Sequence, residues 1–219
     1  MDKYLSIITN FGCHYTCPYC IVRENNLQIP KTTMEGLDDV GRYMQEYECN
    51  WISISGGGDP LYKFEQHEEW YEKLFYLNLG RYKVELHTSY VLKNKLYGNF
   101  DRVVYHIRNL DDISRIIKYG REIIRVVFVV TEDFTNDKID TIVSMVKQNP
   151  NIDELSFRQM VDSNYNTTNY CKEYLELGHK KDWYYIAQGD YNLYYCEGKV
   201  STKYEDFKQN TWHDISKVV

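Results

Sequence analysis

Leu5-Ser6-Ile7-Ile8-Thr9-Asn10-Phe11-Gly12-Cys13-His14-Tyr15-Thr16-Cys17-Pro18-Tyr19-Cys20 is a short apolar run that opens directly into three clustered cysteines. The four-then-three spacing of Cys13, Cys17 and Cys20 puts three thiolates on one loop. A cubane iron–sulfur cluster has four irons to ligate, and electron-transfer ferredoxins usually close all four with cysteine. Three protein ligands leave one iron open to a substrate or a cofactor. The spacing therefore points to chemistry at a cluster rather than to electron storage.

Outward from this loop, six β-branched apolar runs read as strands, at residues 5–8, 51–54, 83–87, 102–106, 123–130 and 154–157. Amphipathic segments separate them. Thr32 and Glu35 are spaced as a capping box ahead of Leu37, Val40, Met44 and Tyr47. Trp70, Leu74 and Leu77 mark a second helix. Asp111 is placed to cap a third carrying Ile113, Ile116 and Ile117, and Ile139, Ile142, Val143 and Val146 mark a fourth that ends at Asn149-Pro150. The 92–97 crossover is weakly patterned. Such alternation predicts right-handed βαβ units and a parallel sheet. Six units are too few for an eight-fold barrel, so the expected fold is α/β, an open partial (β/α)6 barrel over residues 1–160. Residues 161–219 are expected to form an extension that packs on the barrel or covers it. Within it, 183–188 and 191–196 read as a β-hairpin around Gly189-Asp190.

Composition narrows the class. The chain has 219 residues, 43% of them hydrophobic, enough to bury a core. A net charge of −6 argues against a broad nucleic-acid-binding surface. The sequence shows neither a secretory apolar segment nor a membrane-length one, so a soluble cytoplasmic protein with no membrane partner is expected. In that compartment six cysteines suggest metal ligation more than disulfides. Cys49, Cys171 and Cys196 stand apart and read as ordinary thiols.

Ligand sites in parallel α/β folds gather at the carboxyl ends of strands. The cysteine loop follows the first strand and Ser55-Gly56-Gly57-Gly58-Asp59-Pro60 the second. His87-Thr88-Ser89 follows the third and His106-Ile107-Arg108 the fourth, with His106 and Arg108 on one face by alternation. All four groups are expected at one mouth. Three glycines let main-chain carbonyls and amides approach a ligand closely, and the carboxylate after them suits an ammonium group. No phosphate-loop or dinucleotide fingerprint is present.

The cysteine spacing after a first strand, the aromatic before the last cysteine and the acidic glycine-rich turn after the second strand resemble the radical S-adenosylmethionine (SAM) superfamily. The resemblance implies that Cys13, Cys17 and Cys20 hold a [4Fe–4S] cluster whose open iron is chelated by the methionyl amino and carboxylate groups of SAM. It further implies reductive cleavage to methionine and a 5′-deoxyadenosyl radical that abstracts hydrogen from a substrate. Tyr19 matches the aromatic beside adenine. Gly56, Gly57, Gly58 and Asp59 match the turn that receives the amino group, although the family's commonest form is Gly-Gly-Glu. Thr88, Ser89, His106 and Arg158 stand by position where the cofactor's carboxylate, ribose or adenosyl half is contacted. A flavodoxin or ferredoxin is implied as electron donor. The substrate class stays open between a peptide or protein and a small molecule. The competing reading is a non-catalytic module built on zinc or a redox-sensing cluster. It needs a fourth protein ligand, for which His14, Cys49, Cys171 and Cys196 are the candidates.

Overall fold

Alternating β-branched and amphipathic segments fold here as their periods dictate. The computed structural model describes residues 2–91, 95–179, 181–186 and 193–207. The six expected strands form as β1 (Tyr4–Ile8), β2 (Trp51–Ser55), β3 (Lys83–Thr88), β4 (Arg102–His106), β5 (Ile123–Val130) and β6 (Glu154–Gln159). Three shorter strands follow, β7 (Tyr184–Ile186), β8 (Leu193–Cys196) and β9 (Lys199–Ser201). All nine make one sheet in the order β7-β6-β5-β4-β3-β2-β1-β8-β9. Every neighbouring pair is parallel except β8 with β9. The fold is thus α/β with a mostly parallel sheet, as alternation predicts.

Period-2 geometry sorts the strand residues onto two faces. Register aligns Ile7, Ile54, Leu86, Val103 and Ile124 in one continuous row, all of them buried in the main hydrophobic core. The helices share that core. They are α2 (Val40–Glu46), α3 (Glu68–Asn78), α4 (Asn136–Gln148) and α5 (Lys172–Gly178), contributing among others Met44, Trp70, Leu74, Ile139, Ile142 and Leu175. A short α1 (Ile21–Glu24) follows the cysteine loop. The opposite sheet face is polar: Ser6, Ser53, Glu85 and Arg102 align across β1 to β4 and are all buried.

Several local expectations are corrected. The predicted box does not form at the helix start near residue 35: the N-cap there is Glu35, which makes no side-chain cap, and Gly36 N donates to Thr33 Oγ1 at 3.2 Å. Thr32 is instead held on the β1 exit, its N–H donating to Ile8 O at 2.9 Å and its carbonyl accepting from Trp70 Nε1 at 3.0 Å. The first turn there is 3-10, Gly36–Asp39. The third segment is also 3-10, Leu110–Arg115, capped by Asn109 rather than Asp111, so Ile117 lies past its end and is exposed. In α3, Leu77 is exposed where a buried residue was expected, while Tyr71 is buried and its hydroxyl donates to Pro60 O at 2.7 Å.

The expected hairpin does not form. β7 pairs parallel with β6 and β8 pairs parallel with β1, on opposite flanks of the sheet. Each segment satisfies the exposed donors and acceptors of a different sheet edge, which outweighs pairing the two with each other. The turn at Gly189-Asp190 lies outside the described residues, as do 92–94 of the weakly patterned crossover. The hairpin that does form joins β8 to β9 through Glu197 and Gly198, both with positive φ, the two-residue geometry that matches strand twist. Among the described residues no helix is long and apolar enough to cross a membrane.

Candidate functional site

The β1 exit is stitched to the β2 exit before the cysteines begin. Thr9 N donates to Ser55 O and Asn10 N to Gly56 O, each at 3.2 Å. Gly12 then turns with φ +110°, and Asp59 N donates back to its carbonyl at 2.8 Å. A Cβ on Gly58 would lie 2.1 Å from Gly12 O, and one on Gly57, at φ +76°, would lie 2.6 Å from Asn10 Cβ. The glycine run is therefore required for the β2 loop to seat against the base of the cysteine loop. Gly58→Ala has only backbone to push against. It is expected to destabilise the fold by about 1–3 kcal/mol, read by urea unfolding, and to loosen the cysteine loop with it.

One cavity of about 1110 Å³ opens over the carboxyl ends of the strands. Every residue matched to the cluster or the cofactor borders it: Cys13, Cys17, Cys20 and Tyr19 from the β1 loop, Gly56, Gly57, Gly58 and Asp59 from the β2 loop, Thr88 and Ser89 at the end of β3, His106 on β4 and Arg158 on β6, whereas His14, Cys49, Cys171 and Cys196, the candidate fourth ligands, do not. The C-terminal segment adds Tyr194, Thr202, Lys203 and Tyr204. Tyr204 sits against the glycine turn, its Cε2 3.2 Å from where a Gly56 Cβ would be.

Asp59 has a more definite role than an open ammonium acceptor. It is buried, with Oδ1 accepting from Leu61 N at 3.0 Å and from Thr88 Oγ1 at 2.8 Å. Its Oδ2 accepts from Ser89 N at 2.7 Å. Thr88 Oγ1 in turn accepts from Tyr90 N at 3.0 Å. Asp59 thus brackets the β2 and β3 loops. Asp59→Asn turns an acceptor facing Ser89 N–H into a donor. A loss of about 1.5–3 kcal/mol is expected, the range for a hydrogen bond to a charged group, measured by thermal unfolding.

The cysteine loop rests on Arg108. The guanidinium lies 5.0 Å from the Tyr15 ring centroid and 5.7 Å from that of Tyr19 and donates through Nη1 to Cys17 Sγ. Burial raises the Cys17 thiol, with Arg108 opposing it. Burial likewise raises Cys13, against the hydrogen bond from Tyr15 N. Cys13 is exposed and Cys17 and Cys20 are half-buried. Among the described residues, no group of three His, Cys, Asp or Glu side chains converges to hold a single metal ion. Three thiolates stand on the wall of one roomy cavity, and a cubane takes one thiolate per iron. His14 Nε2, in the same loop, is buried without a hydrogen-bond partner.

From the cavity wall a chain of polar contacts runs into the sheet, joining two histidines of the strand-exit motifs to residues those motifs did not include. His106 Nε2 lies 3.0 Å from His87 Nδ1, His87 Nε2 lies 2.9 Å from Glu85 Oε1, and Arg102 Nη1 donates to Glu85 Oε2 at 3.1 Å. Arg102 also meets Tyr4 Oη at 3.2 Å and Glu154 at 3.6 Å, and Glu154 pairs with Arg125 at 2.6 Å. Burial alone would raise the Glu85 carboxyl, but His87 and Arg102 hold it down at about 2. Burial pushes His106 down to about 3, His87 and Arg158 adding to the shift and Glu85 opposing it. The signal was present in Lys83-Val84-Glu85-Leu86-His87, where three ionisable residues alternate with aliphatic ones and so share the non-core face. Comparison with protein-family profiles and with curated proteins gives no match to this sequence.

Proposed function

We propose that this chain is a radical SAM enzyme, with Cys13, Cys17 and Cys20 each giving one thiolate to a [4Fe–4S] cluster. The observation that carries the proposal is the gathering of all three cysteines, the glycine turn and the polar exits of β3, β4 and β6 around one cavity. When bound, the cluster and SAM supply one-electron reductive cleavage of the sulfonium and abstraction of a hydrogen atom from the substrate. The chain's own residues bind and orient. The Gly57 and Gly58 carbonyls are left to receive an ammonium group, since Gly56 O is taken by Asn10 N; Tyr19 offers a ring to adenine, and Ser89 and Arg158 offer polar contacts. Arg108 braces the loop by stacking on Tyr15 and Tyr19.

A partial barrel is part of this reading. Ser6, Ser53, Glu85 and Arg102 are buried on the sheet face opposite the helical core, and β8, the loop after β1, and β2 to β6 border one cavity. Both features support a sheet that curls around its polar face. The C-terminal residues at the mouth suit a substrate that is either a peptide or protein segment or a small molecule enclosed there, with a flavodoxin or ferredoxin as electron source. Anaerobic reconstitution with iron and sulfide, then reduction in the presence of SAM, is expected to release 5′-deoxyadenosine. An intact cluster that yields none would refute the proposal.

A further inference from the structure

We propose that His106 is a catalytic base at the cavity wall, taking a proton from an O–H or N–H group of the substrate and relaying it to His87 beside Glu85. This rests on the proposed function only for what shares the cavity. The relay itself is read from geometry.

Hydrogen-bond roles in the chain follow in order from its buried end. An ionised carboxylate only accepts, so the proton at the 2.9 Å contact between Glu85 and His87 belongs to His87 Nε2. Neutral His87 then offers a lone pair at Nδ1. The proton at the 3.0 Å contact between the imidazoles therefore belongs to His106 Nε2. That leaves His106 Nδ1 bare, on a residue that borders the cavity. Burial disfavours a charge resting on His106 itself, consistent with a proton that passes through it.

The step balances without a further reagent. A substrate O–H or N–H bond breaks heterolytically, its electron pair staying on the heteroatom, and the proton bonds to His106 Nδ1. The His106 Nε2–H bond breaks as the His87 Nδ1–H bond forms. His87 becomes an imidazolium facing the Glu85 carboxylate, whose other oxygen is held by Arg102. The charged or titratable groups around the pair are Glu85 on β3, Arg102 on β4 and Arg158 on β6. The substrate class this serves carries a hydroxyl or ammonium group on or beside the carbon that loses hydrogen, so that hydrogen-atom and proton loss are divided between cofactor and protein. His87 and Glu85 are positioning residues.

Histidine-selective ¹⁵N NMR of the anaerobically reconstituted full chain tests this. Near neutral pH, His106 is expected to carry its proton on Nε2 with Nδ1 bare. As pH falls, proton uptake at the pair should flip His106 to the Nδ1–H form. Glu85→Gln should move that flip down by about 1–3 pH units, and Glu85→Asp should restore most of it. His106 protonated on Nδ1 at neutral pH, or a first protonation that leaves its tautomer unchanged, would overturn the relay. The wild-type spectra decide this even where a Glu85 variant fails to fold. A missing cluster or absent 5′-deoxyadenosine would sink the radical SAM reading while leaving the tautomers measurable.

Discussion

Cys17→Ala is expected to abolish cluster assembly and SAM cleavage together. Wild-type protein should take up about four irons per chain on reconstitution and turn brown. The variant should stay nearly colourless and release no 5′-deoxyadenosine above a buffer control. Two thiolates cannot anchor a cubane that leaves one iron open for the cofactor, and Cys17 is also the thiol that Arg108 engages. Cys49→Ala separates a cluster effect from a general thiol effect. That cysteine is buried in the hydrophobic core, so the variant should bind iron as wild type does. Iron analysis and absorbance of both variants are the check, and a Cys17→Ala protein with full iron content would show that the triplet is not the site.

Glu85→Ala should give the largest loss of stability among single changes to the polar face. Removing the carboxylate leaves Arg102, only 6% exposed, without its 3.1 Å partner and strips His87 Nε2 of its acceptor. Breaking a buried ion pair from one side costs about 3–5 kcal/mol. At about 2–4 °C per kcal/mol for a chain of this size, that is roughly a 6–20 °C drop in Tm. The pH dependence follows from the direction of the shift. Glu85 titrates at about 2 when folded, against an ordinary 4.5, so its contribution is complete above about pH 4.5 and disappears as pH falls toward 2. Wild-type protein should therefore lose stability more steeply between about pH 4.5 and pH 2 than the variant does. Equal slopes in urea melts across that window would remove Glu85 from the account.

Much of the architecture was legible because local period and burial agree. β-branched runs gave β1 to β6 to within two residues at each end. Ile139, Ile142, Val143 and Val146 gave the buried stripe of α4. What was missed depends on contacts distant in sequence. Nothing local tells Tyr184–Ile186 and Leu193–Cys196 that their partners are β6 and β1. Both are short and tyrosine-rich, so they read as pairing with each other. Asp59 is similar: its place after three glycines suggested a ligand contact, but Thr88 and Ser89 claim its oxygens from another loop. The relay was half visible, since His106 was singled out and His87 was named with the β3 exit, whereas Glu85 was not. A parallel sheet places residues of adjacent strands side by side only once register is known, and here Glu85 pairs with Arg102.

The most direct test of the central claim is electron–nuclear double resonance on the reduced, reconstituted protein with SAM carrying ¹⁵N in its methionyl amino group. An open iron beside the glycine turn predicts a ¹⁵N hyperfine coupling to the cluster that vanishes when unlabelled SAM replaces the labelled compound. A reduced cluster of full spin intensity that shows no such coupling would mean its fourth corner is closed to the cofactor, contrary to this account.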